Sequence, residues 1–232
     1  MKKLLLVGIL VATSTITHAQ LFNINPQESA TSQTVNAAAS ADVSAFVQYF
    51  ADTQDLQGNF TQTVHGQRGL EQSQGKMWIS KPGKFYWDYQ GANAQKIISN
   101  GSKVWQYDID LEQISVRGRD ELVGDVAMDI LSGTREIQEL FAINAVAQPQ
   151  LPVALQALAK DGQSYRLTPL SEQDGYDTVW IVMKNNQLAA LAVDTGRGQQ
   201  TVIEFSQLQR NVGIAAGQFE FTPPAGVDVI GE

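Results

Sequence analysis

Between Gly75 and Val116 the chain runs through "GKMWIS", "KFYWDYQ", "KIISN", "KVWQYD" and "EQISV", short segments in which side-chain character changes at every second residue. That period belongs to strands with two unlike faces. Parallel neighbours need a crossover of a dozen or more residues, and the turn residues here leave no room for one, so the strands are expected to be antiparallel. Asn100-Gly101 is the strongest hairpin signal, because both residues tolerate the positive φ of a type I′ turn. In "KPGKFYWDYQG" the spacing puts Phe85, Trp87 and Tyr89 on one face and Tyr86 and Asp88 on the other. An aromatic face of that kind must meet a core, a partner or an apolar ligand.

The periodicity also marks where the strands stop. "DVSAFVQYF" offers Asp42 as a cap, followed by Val43, Phe46, Val47 and Phe50 at helical spacing. Strands then follow, with Leu56, Phe60 and Val64 sharing a face of the first. At "ELVGDVAMDILSG" the period changes: Leu122, Val123, Val126, Ile130 and Leu131 predict a helix that Gly133 can end. A weaker helical segment surrounds Ile137, Leu140 and Phe141, and "LPVALQALAK" is a candidate third. Strand patterning returns in "SYRLTP", "DTVWIVM", "QLAALAVD", "QTVIEFSQL" and "QFEFTPP", with a turn at Asn185-Asn186. About ten strands around a short helical insertion predict a mainly β fold, a curved antiparallel sheet with helices on one face. Residues 42–232 read as a single domain, since either half alone would expose an amphipathic sheet.

"MKKLLLVGILVATSTITHA" combines two lysines, an apolar run from Leu4 to Ala12 and a small-x-small ending at Thr17-His18-Ala19. This is the pattern of a cleaved export signal over residues 1–19. The apolar run is well short of the roughly 18 to 20 residues that span a bilayer. No cysteine follows the cleavage point to carry a lipid anchor. Residues 20–41, rich in Gln, Asn, Ser, Thr and Ala, lack periodicity and read as a flexible N-terminal segment.

Catalytic chemistry is poorly provided for. The chain has no cysteine and two histidines, His18 in the export signal and His65 in a strand end beside Gly66. A thiolate or histidine-rich metal site is thereby excluded. Asp108, Asp110 and Glu112 alternate in "YDIDLEQ" but lack the glycine-centred spacing of a calcium hand, and a solvated turn is the plainer account. Asp125 and Asp129 fit the outer face of a helix, and "TGRGQQ" a hairpin turn. No phosphate loop, nucleophile elbow or dinucleotide fingerprint is present. The reading is therefore of a protein that is not an enzyme and uses no metal or other cofactor. A net charge of -8 argues against nucleic acid and against stable membrane insertion or attachment to anionic lipid. The informative residues are apolar: Phe60, Met77, Ile79, Phe85, Trp87, Ile97, Trp105, Tyr107, Trp180 and Phe205. They form either a conventional core or a hydrophobic pocket that packing fills incompletely. Trp78 alternates away from Met77 and Ile79.

The run "GNFTQTV", then "GKMWISKPGKFYWDYQG", "IISNGSKVWQYDIDLEQISV" and "FEFTPPAGVDVI" together resemble the periplasmic outer-membrane lipoprotein carrier proteins, the LolA family. The resemblance extends over about residues 46–230. It implies an open, incomplete antiparallel β-barrel of about eleven strands with a hydrophobic cavity closed by short helices. It further implies a periplasmic shuttle that takes acylated lipoproteins from an ATP-driven inner-membrane release complex and passes them to an outer-membrane receptor. On this basis Phe60, Met77, Ile79, Phe85, Trp87, Ile97, Trp105, Tyr107, Val126 and Ile130 are the candidate acyl-contacting residues. A lipid-binding sensor or regulatory protein on the same half-barrel is the alternative. The pattern departs at Lys81: the family commonly has an Arg before this proline, resembling a latch on the lid's backbone carbonyls. A lysine keeps the charge but loses the rigid fork of donors. Arg117 or Arg119 could substitute, or Lys81 could be an ordinary solvated side chain.

The export reading predicts a mature N-terminus near Gln20 in the soluble periplasmic fraction, measurable by mass spectrometry of the intact protein. Recovery only as a membrane species retaining Met1 to Ala19 would overturn it.

Overall fold

The computed structural model describes residues 42–67, 69–119, 126–171, 176–196 and 198–231. The predicted export signal, the segment 20–41 and the expected start of the helical insertion at 121–125 lie outside them. Helix α1 covers residues 42–51 and leads into six strands: β1 (Asp55–Gly66), β2 (Gly69–Ser80), β3 (Lys84–Gln90), β4 (Gln95–Asn100), β5 (Lys103–Asp108) and β6 (Gln113–Gly118). Helices α2 (Val126–Ser132) and α3 (Ile137–Leu140) follow, then β7 (Phe141–Val146) and α4 (Val153–Gln156). The chain ends with β8 (Gln163–Pro169), β9 (Thr178–Lys184), β10 (Gln187–Asp194), β11 (Gln200–Arg210) and β12 (Asp228–Ile230).

All twelve strands belong to one sheet, ordered β12-β6-β5-β4-β3-β2-β1-β11-β10-β9-β8-β7. Every neighbouring pair is antiparallel except β12 with β6, which is parallel. The two end strands, β12 and β7, do not pair, so the sheet is not closed into a barrel. The pairing of β1 with β11 joins the two meanders across the helical insertion. That long-range ladder makes one sheet from the two runs of strands.

Turn chemistry sets much of the register. At the β9–β10 hairpin Asn185 and Asn186 both have positive φ, 49° and 59°, the signs a type I′ turn requires. The β4–β5 hairpin differs from expectation: Gly101 has φ 98° while Asn100 stays in the strand. Asn100 Oδ1 instead accepts hydrogen bonds from the Ser102 and Lys103 amides at 3.1 and 3.0 Å. A Gly in the first central position with an ordinary second residue is the sign pattern of type II′. Asp108 serves its turn similarly, its Oδ1 accepting from Leu111 N at 3.0 Å. That contact accounts for an acid in "YDIDLEQ" without a metal.

Two other sequence expectations change. The apolar residues near Phe141 divide between a one-turn helix, Ile137–Leu140, and strand β7, because a short apolar run carries no decisive period. "QFEFTPP" is not a strand: residues Ala216–Phe219 form a 3-10 turn that lies against β3 and β4.

Residues directly opposite in these ladders share a face, which assigns the packing. The inner face carries Leu56 and Phe60 of β1, Met77 and Ile79 of β2, Phe85, Trp87 and Tyr89 of β3, and Leu167, Val179, Ile181 and Leu191 beyond β11, all in one cluster with α1 and α2. The outer face has a second cluster, where Leu151, Leu155 and Ala159 cover Val182, Ala190, Ala192 and Val202. It also holds Ile98 and Ile114, at most 1% exposed. Leu155 has no exposed surface. Leu155→Ala should therefore cost about 2–5 kcal/mol in urea denaturation. Amide exchange in α1 should accelerate no more than that global loss requires; a larger local acceleration there would contradict the separation of the two clusters.

Candidate functional site

Alternation in β2 and β3 concentrates bulky side chains where the short helices lie. Met77 pairs with Trp87 and Ile79 with Phe85, and all four are at most 1% exposed. Phe60 pairs with Gly75 on the inner face and meets Trp87 edge-on, with ring centroids 4.6 Å apart. A Cβ at position 75 would collide with the Asp88 carbonyl and approach the Phe60 ring, so glycine is what admits that ring. Against this surface α1 places Phe46, Tyr49 and Phe50, and α2 places Val126, Met128, Ile130 and Leu131. Phe46 stacks on Tyr165 of β8 at 4.1 Å.

Phe60, Met77, Ile79, Phe85, Trp87, Val126 and Ile130 thus come together in one buried cluster, with Ile97 partly buried against it. Trp105 and Tyr107 do not join them. Trp105 pairs with Ile98 and Tyr107 with Lys96, the outer-face residues of β4, whereas Ile97 is on the inner face beside Trp87. Both outer rings lie near Phe221, at 6.1 and 6.2 Å. The inner residue of β5 nearest the helices is Val104, which belongs to the main cluster. Trp180 likewise belongs to the outer cluster, while Phe205 packs against the inner one.

The cover is fixed by polar contacts to helix ends. At the C-terminal end of α1, Lys81 Nζ donates to Phe50 O at 2.5 Å, and Arg210 Nη1 to Tyr49 O at 3.0 Å. Asn211 Nδ2 donates to Asp52 O at 2.8 Å. Two cations therefore meet the last carbonyls of α1, at the negative end of the helix dipole, alongside Thr53, whose N and Oγ1 donate to Phe50 O at 3.3 Å and Tyr49 O at 2.6 Å. The Arg210 guanidinium also lies 4.4 Å from the Tyr49 ring centroid. Burial pushes the Lys81 ammonium below its ordinary pKa, an effect partly opposed by the negative charge of Glu136. Its stem passes close to Gly133, where a Cβ would collide with it. Lys81 consequently sits between the end of α1 and the turn after α2. A cleft of about 190 Å³ opens there, bordered by Phe50, Lys81, Ile130 and Glu136.

Helix α2 has a different fastening. Arg119, just beyond β6, donates to Asp129 Oδ1 at 2.6 Å and to Ser132 Oγ at 3.3 Å, with its guanidinium 5.5 Å from the Phe85 ring centroid. Gly83 N donates to Ser132 O at 2.9 Å. Asp129, read from sequence as an outer-face acid, is thus half of an ion pair. Arg117 instead points its donor at Gln106 Oε1, 3.1 Å away. The roles of Arg210 and Asn211 were missed in sequence because they depend on the β1–β11 ladder; an Arg-Asn pair closing a long strand was the sole local signal.

Two polar atoms in this region, Trp87 Nε1 and Arg119 Nε, are buried without a hydrogen-bond partner among the described residues. Among the described residues no group of three or more His, Cys, Asp or Glu side chains could hold a metal ion. No helix among them is long and apolar enough to cross a membrane.

A sheet left open between its end strands, with an apolar inner face closed over by short helices, defines a lidded half-barrel. The family model for "Outer membrane lipoprotein carrier protein LolA" matches residues 51–222. An outer-membrane lipoprotein carrier protein of Methylobacillus flagellatus is 34% identical over 187 residues, covering 79% of this chain and 86% of that protein. One from Alkalilimnicola ehrlichii is 36% identical over 197 residues, 84% of either chain. Among solved structures, a LolA superfamily protein from Nitrosomonas europaea aligns with a TM-score of 0.44 at 10% identity, over 79% of this chain and 97% of that one. The chain belongs to the LolA family of outer-membrane lipoprotein carrier proteins.

The contacts at Lys81 carry a direct expectation. Lys81→Met removes the donor to Phe50 O while keeping an unbranched apolar stem, so amide exchange over residues 42–51 should become severalfold faster, with global stability changed by about 1 kcal/mol or less. Unaltered exchange across that helix would show that Lys81 does not restrain it.

Proposed function

We propose that this protein is a periplasmic lipoprotein carrier. It accepts acylated lipoproteins from an ATP-driven inner-membrane release complex, shields their acyl chains against the inner face of the sheet and yields them to an outer-membrane receptor. The observation that carries the reading is the combination of family membership with a covered inner face whose apolar contacts are shared between sheet and helices. Phe60, Met77, Ile79, Phe85, Trp87 and Ile97 supply the sheet side of the acyl site, and Val126 and Ile130 the helical side. Lys81, with Arg210, acts as the latch on α1, while Arg119 restrains α2.

The packing dictates how loading must proceed. Ligand pockets for drug-sized molecules run to roughly 300–1,000 Å³. The cleft beside Lys81 is about 190 Å³ and is bordered by charged groups, so it is not the acyl site. Trp87 and Met77 are at most 1% exposed, so acyl chains that reach them displace side chains packed over them, those of α1 and α2 among them. Cover and cargo therefore compete for the same surface. Burying dozens of methylenes at about 0.8 kcal/mol each would otherwise exceed the roughly 20 kcal/mol at which noncovalent affinities saturate. The competition subtracts the helices' own burial from that gain and keeps the cargo releasable. Directional transfer then depends on energy input at loading and a stronger receptor at unloading.

The test is release of a triacylated lipoprotein from inner-membrane vesicles, followed by its transfer to outer membranes. Wild type should perform both steps, and Met77→Gln should lower release at least tenfold while remaining folded by circular dichroism. A wild-type protein that releases no lipoprotein would refute the carrier assignment, and a fully active Met77→Gln would remove β2 from the acyl site.

A further inference from the structure

The acyl site has a polar atom that hydrocarbon cannot satisfy. The Trp87 side chain is 1% exposed, its ring packed against Phe60 and Tyr89, and its Nε1 donor has no partner among the described residues. Buried indole N–H groups ordinarily find an acceptor, because an orphaned donor forfeits the hydrogen bond that water gave it. Its aromatic surface would be equally well served by phenylalanine. The nitrogen is the feature that an apolar lining does not explain.

What surrounds Trp87 on the same face gives the missing acceptor a chemistry. Across the sheet Trp87 pairs with Ile97, and Ile97 with Gln106. Neighbouring strands are about 4.8 Å apart, so Gln106 stands roughly 10 Å from Trp87 on the inner face. Here the lining changes from hydrocarbon to amide and guanidinium: Gln106 Nε2 donates to Gln95 Oε1 at 3.2 Å, and Arg117 Nη2 to Gln106 Oε1 at 3.1 Å. The order along the face is thus buried aromatic donor, aliphatic spacer, then a partly exposed polar ladder. An acylated lipoprotein terminus has the same order. Hydrocarbon chains lead to ester and amide carbonyls, and those to an extended peptide.

We propose that Trp87, Gln106 and Arg117 form a head-group subsite that recognises the carbonyl groups joining acyl chains to the lipoprotein's terminal cysteine and the first peptide units beyond it. Trp87 Nε1–H donates to an ester carbonyl at the boundary of the acyl site. Gln106, which can donate and accept, and the exposed Arg117 donors engage the peptide backbone. The proposal rests on the carrier reading, and goes beyond it by assigning recognition to the linkage as well as to the hydrocarbon. A hydrocarbon of equal length would leave Trp87 Nε1 unsatisfied, so the site discriminates by chemistry that apolar area alone lacks.

The experiment uses the mature full chain and two synthetic lipopeptides: a triacylated cysteinyl peptide with glyceryl esters, and its analogue in which ether linkages replace the esters. Affinity is measured by tryptophan-independent fluorescence of a label on the peptide. Wild type should bind the ester about five- to tenfold more tightly than the ether, equivalent to about 1–1.4 kcal/mol. Trp87→Phe should erase that preference, bringing the ratio of ester to ether affinity to about one. Gln106→Leu should weaken both lipopeptides but not a free fatty acid. In wild type labelled with 15N-indole, one of the four tryptophan N–H signals, assigned by its loss in Trp87→Phe, should shift downfield with the ester only. If Trp87→Phe fails to fold, the signal is assigned instead by labelling Trp78→Phe, Trp105→Phe and Trp180→Phe proteins and taking the signal common to all three. Equal ester and ether affinities in wild type, or a Trp87 signal that does not distinguish them, would overturn the subsite. Failure of wild type to bind either lipopeptide would refute the carrier reading itself.

Discussion

An apolar sheet face in water must be covered, and here the cover is too small to hold itself in place. Helix α2 has seven residues and α1 about ten, lengths at which isolated helices are unstable in water. Their stability comes from burying Phe46, Phe50, Val126, Ile130 and their neighbours against the strands. The polar fastenings then decide how that burial is oriented: Lys81 and Arg210 on the carbonyl end of α1, Arg119 on Asp129 and Ser132 of α2. Each contact joins a helix to a strand end or to the residue just beyond one. The inner face is thereby covered without the helices being threaded into the sheet.

This arrangement separates stability from function in space. The outer cluster around Leu155 and the buried Ile98 and Ile114 support the sheet from the side away from α1 and α2. Moving the helices would expose inner-face hydrocarbon but leave the outer packing and the backbone ladders intact. The β1–β11 pairing has the same consequence, since it closes the two meanders into one sheet through main-chain bonds rather than through the helices. In the proposed function this lets the inner face exchange one apolar covering for another while the strands keep their register.

Much of this was legible in alternation. The strands of the first meander, the antiparallel pairing and the common face of Phe85, Trp87 and Tyr89 follow from a period of two and short turns. Trp105 and Tyr107 show where the same reasoning was misapplied: their own alternation is sound, but which face of β5 turns inward depends on the register with β4, set by the Gly101-Ser102 turn. One residue of difference sends a ring to the opposite side. The split of Ile137–Val146 into a helical turn and a strand was hidden by a run too short to show its period. The fastenings were least visible, because Arg210 with Tyr49 and Lys81 with Phe50 are contacts between residues far apart in sequence. Composition marks those residues as charged and gives no hint of which carbonyl each will meet.

An unclosed sheet has two ends at which another chain could add a strand, a hazard that closed barrels avoid. Here each end is short. Strand β12 offers three residues, and its predecessor β6 is shielded by that parallel addition from the chain's own C-terminal segment. At the other end β7 has six residues and is soon followed by Pro149 and Pro152, which lack the amide hydrogen that a growing ladder would need. The fold can therefore leave its sheet unclosed while giving neighbouring copies little backbone on which to polymerise.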